Sequence, residues 1–122
     1  MPSEASEQIA LANDLNRAGF FWTAVPNGGK RALRTARSLK AQGVRAGIPD
    51  LLIFDPPPQL DAHGRALVGC AIELKRADGR PSDVSKSQWK CLEELRTRGW
   101  LVFVAFGRLD AIKQLKDWGY VV

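Results

Sequence analysis

Residues 47–55 read GIPDLLIFD and residues 70–76 read CAIELKR. Each is a short apolar run of the kind that forms a buried strand, and each carries charge that a strand does not need in order to fold. Side chains at i and i+2 share a face, so Glu73 and Lys75 stand about 7 Å apart on one side, with Cys70, Ile72 and Leu74 on the other. In a central strand both faces are covered, and a carboxylate or an ammonium held there costs roughly several kcal/mol unless it is paired or bound to a metal. Pro49 fixes its own φ and keeps Ile48 extended, so Asp50 is presented rigidly where the first run begins. Paired as a hairpin, the two runs would bring Asp50 and Glu73 together as hard oxygen ligands suited to Mg²⁺ or Mn²⁺. Lys75 beside them would orient or help deprotonate a water, or neutralise charge on a phosphate under attack.

Working outward, residues 3–18 form a helix: Ser3 can cap it, Leu11, Leu15 and Ala18 recur at helical spacing, and Gly19 ends it. FFWTAV (20–25) has strand composition and stops at Pro26 and the turn-forming NGG. A basic helix spans 30–42, strands span 47–55, 66–75 and 100–106, and helices span 86–98 and 108–119. The order αβαββαβα predicts an α/β sandwich, a central mixed sheet flanked by helices.

With 122 residues and 45% of them apolar, the chain suits one domain over residues 1–122. No run approaches the roughly 20 apolar residues of a membrane span, and MPSEASEQ lacks the apolar segment of a secretory signal. No membrane partner is expected, and the expected setting is cytoplasmic, that of a bacterial or phage-type intracellular protein. Cys70 and Cys91 have no CxxC spacing and read as buried reduced thiols. His63 is the sole histidine, which disfavours histidine-based metal sites and Ser-His-Asp catalysis. Net charge is +5, and between Asp14 and Asp50 every charged residue is basic: Arg17, Lys30, Arg31, Arg34, Arg37, Lys40 and Arg45. A solvated helix face mixes signs, so a run of one sign points to a polyanionic partner, DNA or another nucleic acid.

The motif PD at 49–50 followed by ELK at 73–75 resembles the PD-(D/E)xK nuclease superfamily. The fuller pattern of PNGGKR, GVRAGIPDLLIF, AIELK and SKSQWKCLEELRTRGW, closed by a final apolar strand, is similar to its VRR-NUC domain family over nearly the whole chain. The resemblance implies a restriction-endonuclease-like fold and metal-dependent phosphodiester cleavage, with standalone relatives acting on branched DNA such as four-way (Holliday) junctions, often as homodimers. It implies Asp50 and Glu73 as metal ligands, with the Leu74 carbonyl a further one, and Lys75 serving the attacking water. The family also has a glutamate on the first helix near the metal. Glu7, one turn before Leu11, is the preferred candidate, and Glu4 projects to nearly the same side.

Gln88 matches the family's glutamine beyond the core strands. It also fits a capping box, with Ser85 at the N-cap and Gln88 at N3, and the two roles are expected to exclude each other in one rotamer. It lies in line with Cys91, Leu92 and Leu95, where a buried amide needs a polar partner, and this favours the site role. Asn27, Lys30 and Arg31 match the family's motif beside the active face, and Lys30, Arg34 and Arg37 share a helix side suited to successive phosphates. Trp89 and Trp100 are expected in the core. Two further functions stay open: a non-catalytic module that docks nucleic acid, and a restriction-type nuclease, for which the chain leaves little room for base reading. A homodimer would let two sites cut both strands of a junction.

Overall fold

The computed structural model describes residues 1–26 and 33–122, and of Leu33 and Arg34 the backbone alone. In chain order the elements are α1 (Glu4–Ala18), β1 (Trp22–Ala24), α2 (Leu33–Ala41), β2 (Leu51–Ile53), β3 (Cys70–Lys75), a 3₁₀ turn (Pro81–Asp83), α3 (Lys86–Thr97), β4 (Leu101–Phe106) and α4 (Arg108–Asp117). This is the expected αβαββαβα order. The Ser3 hydroxyl accepts the Ser6 N–H at the start of α1, and Gly19, at φ 80°, closes it by donating to Leu15 and Asn16 carbonyls.

The strands form one mixed sheet in the order β1-β2-β3-β4. β1 pairs antiparallel with β2, β2 antiparallel with β3, and β3 parallel with β4. A parallel pair needs a crossover, and α3 supplies it. Strand alternation then sorts the two faces. Cys70, Ile72 and Leu74 pack with Leu51, Ile53, Leu101 and Ala105 against Leu11 and Leu15 of α1 and Ala111 and Leu115 of α4. Glu73 and Lys75 turn to the face covered by α3.

The strands are shorter than the sequence suggests, and β2 has the clearest cause. Its pairing with β3 runs from Ile53↔Cys70 to Leu51↔Ile72. One residue further the ladder ends, because the Leu74 N–H donates to the Asp50 side chain at 2.8 Å. A side-chain oxygen takes the place a strand carbonyl would have filled.

Polar contacts between distant segments fix the helices. Arg108, at the start of α4, forks onto the buried Asp14 of α1 with both ends of its guanidinium, Nη2 lying 2.9 Å from Oδ1. These bonds hold the Asp14 carboxyl below its usual range. The Gln114 amide of α4 donates to the Val104 carbonyl at 3.0 Å, and the Phe106 N–H donates to Asp110 at 2.9 Å, which ties α4 to β4. At the C-terminus the Tyr120 hydroxyl donates to the Asp55 carbonyl at 2.7 Å, and its ring meets Phe20 edge-on at 5.3 Å. Both cysteines are free and buried, as their sequence contexts suggested.

Gly47 is the tightest junction between the PD segment and α3. Its φ is +83°, and a Cβ there would lie 2.5 Å from the Ser87 carbonyl oxygen. Gly43, just beyond α2, also has a positive φ of +98°, but a Cβ there meets nothing within 4 Å. The pair separates backbone strain from backbone collision. Gly43→Ala is expected to cost about 1 kcal/mol, the conformational share alone, whereas Gly47→Ala should cost about 3 kcal/mol. Urea unfolding at unchanged slope reads both, and equal losses would refute the close approach of Gly47 to α3.

Candidate active site

The site is assembled at the end of the sheet where β2 starts and β3 finishes. Continuing the β2–β3 register one step beyond Leu51↔Ile72 sets Asp50 opposite Glu73. A strand residue points its N–H and its carbonyl to the same neighbour, so the Leu74 carbonyl faces the Asp50 side together with the N–H that Asp50 binds. Leu74 itself is fully buried.

Glu73 is 1% exposed. Its Oε1 accepts the Gln88 side-chain N–H at 2.9 Å and lies 3.7 Å from the Lys75 ammonium. Its Oε2 is buried with no hydrogen-bond partner among the described residues. Burial pushes the Glu73 carboxyl up to about 8; Asp50 adds to the rise and Lys75 opposes it. A buried acid crowded by a second acid, with one oxygen free of hydrogen bonds from the described residues, is a candidate for binding a cation.

Gln88 resolves differently from the expectation. Its Oε1 accepts the Ser85 N–H at 2.8 Å, the Ser85 hydroxyl accepts the Gln88 N–H at 3.2 Å, and the capping box of α3 is complete. The same Oε1 accepts from the Lys75 ammonium at 3.3 Å, while Nε2 donates to Glu73. Cap and site contacts therefore coexist in one rotamer. One side chain serves both because the amide has an accepting end and a donating end.

The structure separates the two first-helix acids. Glu7 does not turn to Asp50: its Oε2 accepts the Arg108 N–H at 2.6 Å and fastens the start of α4. Glu4 is the α1 acid that feels the site. Its carboxyl is raised by burial and by Asp50, against the pull of Lys75. It lines a hollow of about 470 Å³ with Lys75, Arg76, Asp78, Gly79 and Asp83. The two glutamates share a helix side, and only the approach of Arg108 from 101 residues away separates them. Sequence spacing carries no signal of that approach.

On the other side of Gln88 a groove of about 810 Å³ runs between α2, residues 43–48 and the start of α3. Arg37 is exposed on α2. Asn27, Lys30 and Arg31 lie outside the described residues, as does the side chain of Arg34. Trp100 is partly buried against the Gly69 position, but Trp89 is 46% exposed on the outer side of α3, contrary to the expected core packing. In α3 the buried positions are Cys91 and Leu92, and the neighbour of Gln88 points away from them.

No group of three or more His, Cys, Asp or Glu side chains close enough to hold a metal occurs among the described residues. The donors that do converge are two carboxylates and a carbonyl. That set fits Mg²⁺, which commonly takes one or two carboxylates and keeps water or phosphate oxygens in its other positions.

The Glu73 carboxyl gives the site a pH signature of defined sign. Its folded value, about 8, lies above the ordinary 4.5, so between these values the folded state holds a proton that the unfolded chain has lost. In EDTA, stability should therefore fall as pH rises through that window and level off above it. Measured by thermal unfolding, wild type should lose stability relative to Glu73→Gln across the window. A parallel pair of curves would refute the assignment.

The VRR-NUC domain model matches residues 3–109. A solved structure described as a VRR_NUC domain protein superposes with a TM-score of 0.76, covering 98% of this chain and 89% of its own at 23% identity, a likeness of fold. No curated protein matches the chain. Among the described residues no helix is long and apolar enough to cross a membrane. The match over most of its length places this chain in the VRR-NUC domain family, with the mixed α/β fold and nuclease-type function of the PD-(D/E)xK superfamily.

Proposed function

We propose that this protein is a Mg²⁺- or Mn²⁺-dependent DNA endonuclease, and that residues 1–122 work as one nuclease domain. The observation that carries the reading is Glu73: buried, opposite Asp50, with Oε2 unpaired and Oε1 linked through Gln88 to Lys75. A structural ion pair, as a pure binding module requires, would satisfy both carboxylate oxygens. Here one is left over on the side of a second carboxylate.

Asp50, Glu73 and the Leu74 carbonyl would hold the divalent ion, whose chemistry is to acidify a bound water and neutralise charge on the phosphate. Lys75 serves the nucleophile. Its ammonium is held by Gln88 Oε1 and Glu73, so it points a donor at the phosphate or orients the water without paying side-chain entropy during the reaction. Water attacks phosphorus in line, the P–O bond to the leaving sugar oxygen breaks, and that oxygen takes up a proton. Gln88 keeps Lys75 and Glu73 in register. Glu4, not Glu7, stands on the far side of Lys75, where it can hold a water or a further ion-bound ligand.

Arg37 on α2, with Asn27, Lys30, Arg31 and Arg34 before it in sequence, supplies phosphate contacts without a base-reading signature. The selectivity is therefore for DNA shape, and branched DNA such as a four-way junction is the proposed substrate. Cutting both strands of a junction calls for two sites, which a homodimer provides, in a cytoplasmic setting.

The test uses end-labelled four-way junction, flap, single-stranded and duplex DNA with Mg²⁺, Mn²⁺ or EDTA. Cleavage should require the metal, and Asp50→Asn, Glu73→Gln and Lys75→Ala should each lower the rate by on the order of 10² or more while DNA binding in EDTA persists. Gln88→Ala should lose less rate, together with about 1 kcal/mol of stability from the broken cap. Normal cutting by Lys75→Ala would sink the mechanism.

A further inference from the structure

The groove beside Gln88 has a composition that phosphate binding alone does not explain. Its lining includes Leu39 of α2 and Val44, Ala46 and Ile48 of the following segment, together with the cations Lys40 and Arg45. Val44 is 53% exposed although it is apolar and joins this lining. The described lining contains no carboxylate. At about 810 Å³ it lies within the roughly 300–1,000 Å³ of sites that hold small organic groups. Gln88 lines it too, and the Gln88 side chain bonds both Glu73 and Lys75, which joins the groove to that cluster.

We infer that this groove is a nucleobase subsite: it holds an unpaired base of the nucleotide next to the cleaved phosphodiester, with its phosphate between Lys40 and Arg45. The inference rests on the nuclease reading and gives it a source of selectivity. A base presents apolar faces, which match the aliphatic lining, and one chain step away it carries an anion, which matches the two cations. In intact duplex both faces are covered by stacking, so the lining gains nothing from it. At a branch, flap or single strand the base is free to turn in. The aliphatic lining recognises the base by contact area, with few groups to read its edge, so the subsite favours unpaired DNA of any sequence.

Gly47 and Cys91 hold the groove in shape. The Gly47 backbone lies against Ser87, and the Cys91 thiol donates to the Ala46 carbonyl at 3.3 Å. Residues 46–47 are thus fixed to α3, and the distance from this lining to the active site is set by packed backbone.

The experiment compares flap oligodeoxynucleotides carrying either a base or an abasic site at the unpaired position next to the branch. Binding is measured in EDTA by fluorescence anisotropy and cleavage in Mn²⁺. Wild type should bind the base-containing flap about tenfold more tightly than the abasic one. Val44→Ser, an exposed position, and Leu39→Ser should shrink that ratio toward one while leaving duplex binding unchanged. Lys40→Ala and Arg45→Ala should weaken every DNA alike, keep the ratio, and each lower the salt dependence by about one ion. Equal affinity of wild type for both flaps, or equal loss on flap and duplex in Val44→Ser, overturns the subsite. Because the ratio is read in EDTA, a protein that cuts nothing in Mn²⁺ yet keeps the tenfold ratio would reject the nuclease reading and retain the base subsite.

Discussion

The structure turns on one constraint: a carboxylate that folding has buried and left half satisfied. Glu73 sits on the central strand, where an apolar residue would pack at no electrostatic cost, and its neighbours include the Gln88 amide that donates to it, a lysine at 3.7 Å and the Asp50 carboxyl. Asp50 opposite makes the placement worse by adding like charge. Evenly distributed packing would relieve this by turning one acid outward. The PD segment prevents it: Pro49 is buried, Asp50 is locked to the Leu74 N–H, and Gly47 is wedged against α3. Strain of this kind persists where surrounding contacts over-determine it, and carboxylates perturbed in this way cluster at functional sites.

The remaining helices can be read as supports for that corner. α3 begins with a capping box whose glutamine is also the bridge between Glu73 and Lys75, so helix initiation and site geometry depend on the same side chain. α1 is anchored to α4 twice, through Glu7 to the Arg108 N–H and through Asp14 to the Arg108 guanidinium. With two points fixed, the first turn of α1 is held over the end of β3, and Glu4 is placed where it senses both Asp50 and Lys75.

Most of the fold was legible because its signals are local. Ser3 and Gly19 mark the ends of α1, the alternation of CAIELK identifies a strand with one polar face, and Pro49 fixes the entry to β2. The pairing of Asp50 with Glu73 was legible too, since two adjacent runs of opposite direction have few other ways to meet. What escaped depends on contacts across the chain. Glu4 and Glu7 differ only in what α4 brings to them. Trp89 follows Gln88, and once Gln88 turns to Glu73 the indole faces outward. β2 is three residues long because a side chain ends its ladder, which composition does not reveal.

The positions of Lys75 and Gln88 connect the two hollows. Lys75 lines the smaller one with Glu4, Gln88 lines the larger one with Lys40 and Arg45, and the two residues are hydrogen-bonded to each other. The polar bridge therefore joins a hollow that holds Glu4, Asp78 and Asp83 to one that holds Lys40, Arg45 and aliphatic side chains. On the proposed reading, a strand of DNA crossing the bridge would meet carboxylates where a metal would offset its charge, and cations with aliphatic surface suited to its backbone and an exposed base. This asymmetry would give the site a direction. A phosphodiester has two chemically different ends, so on the proposed reading a cleft with unlike halves would favour one sense of binding and with it one leaving oxygen.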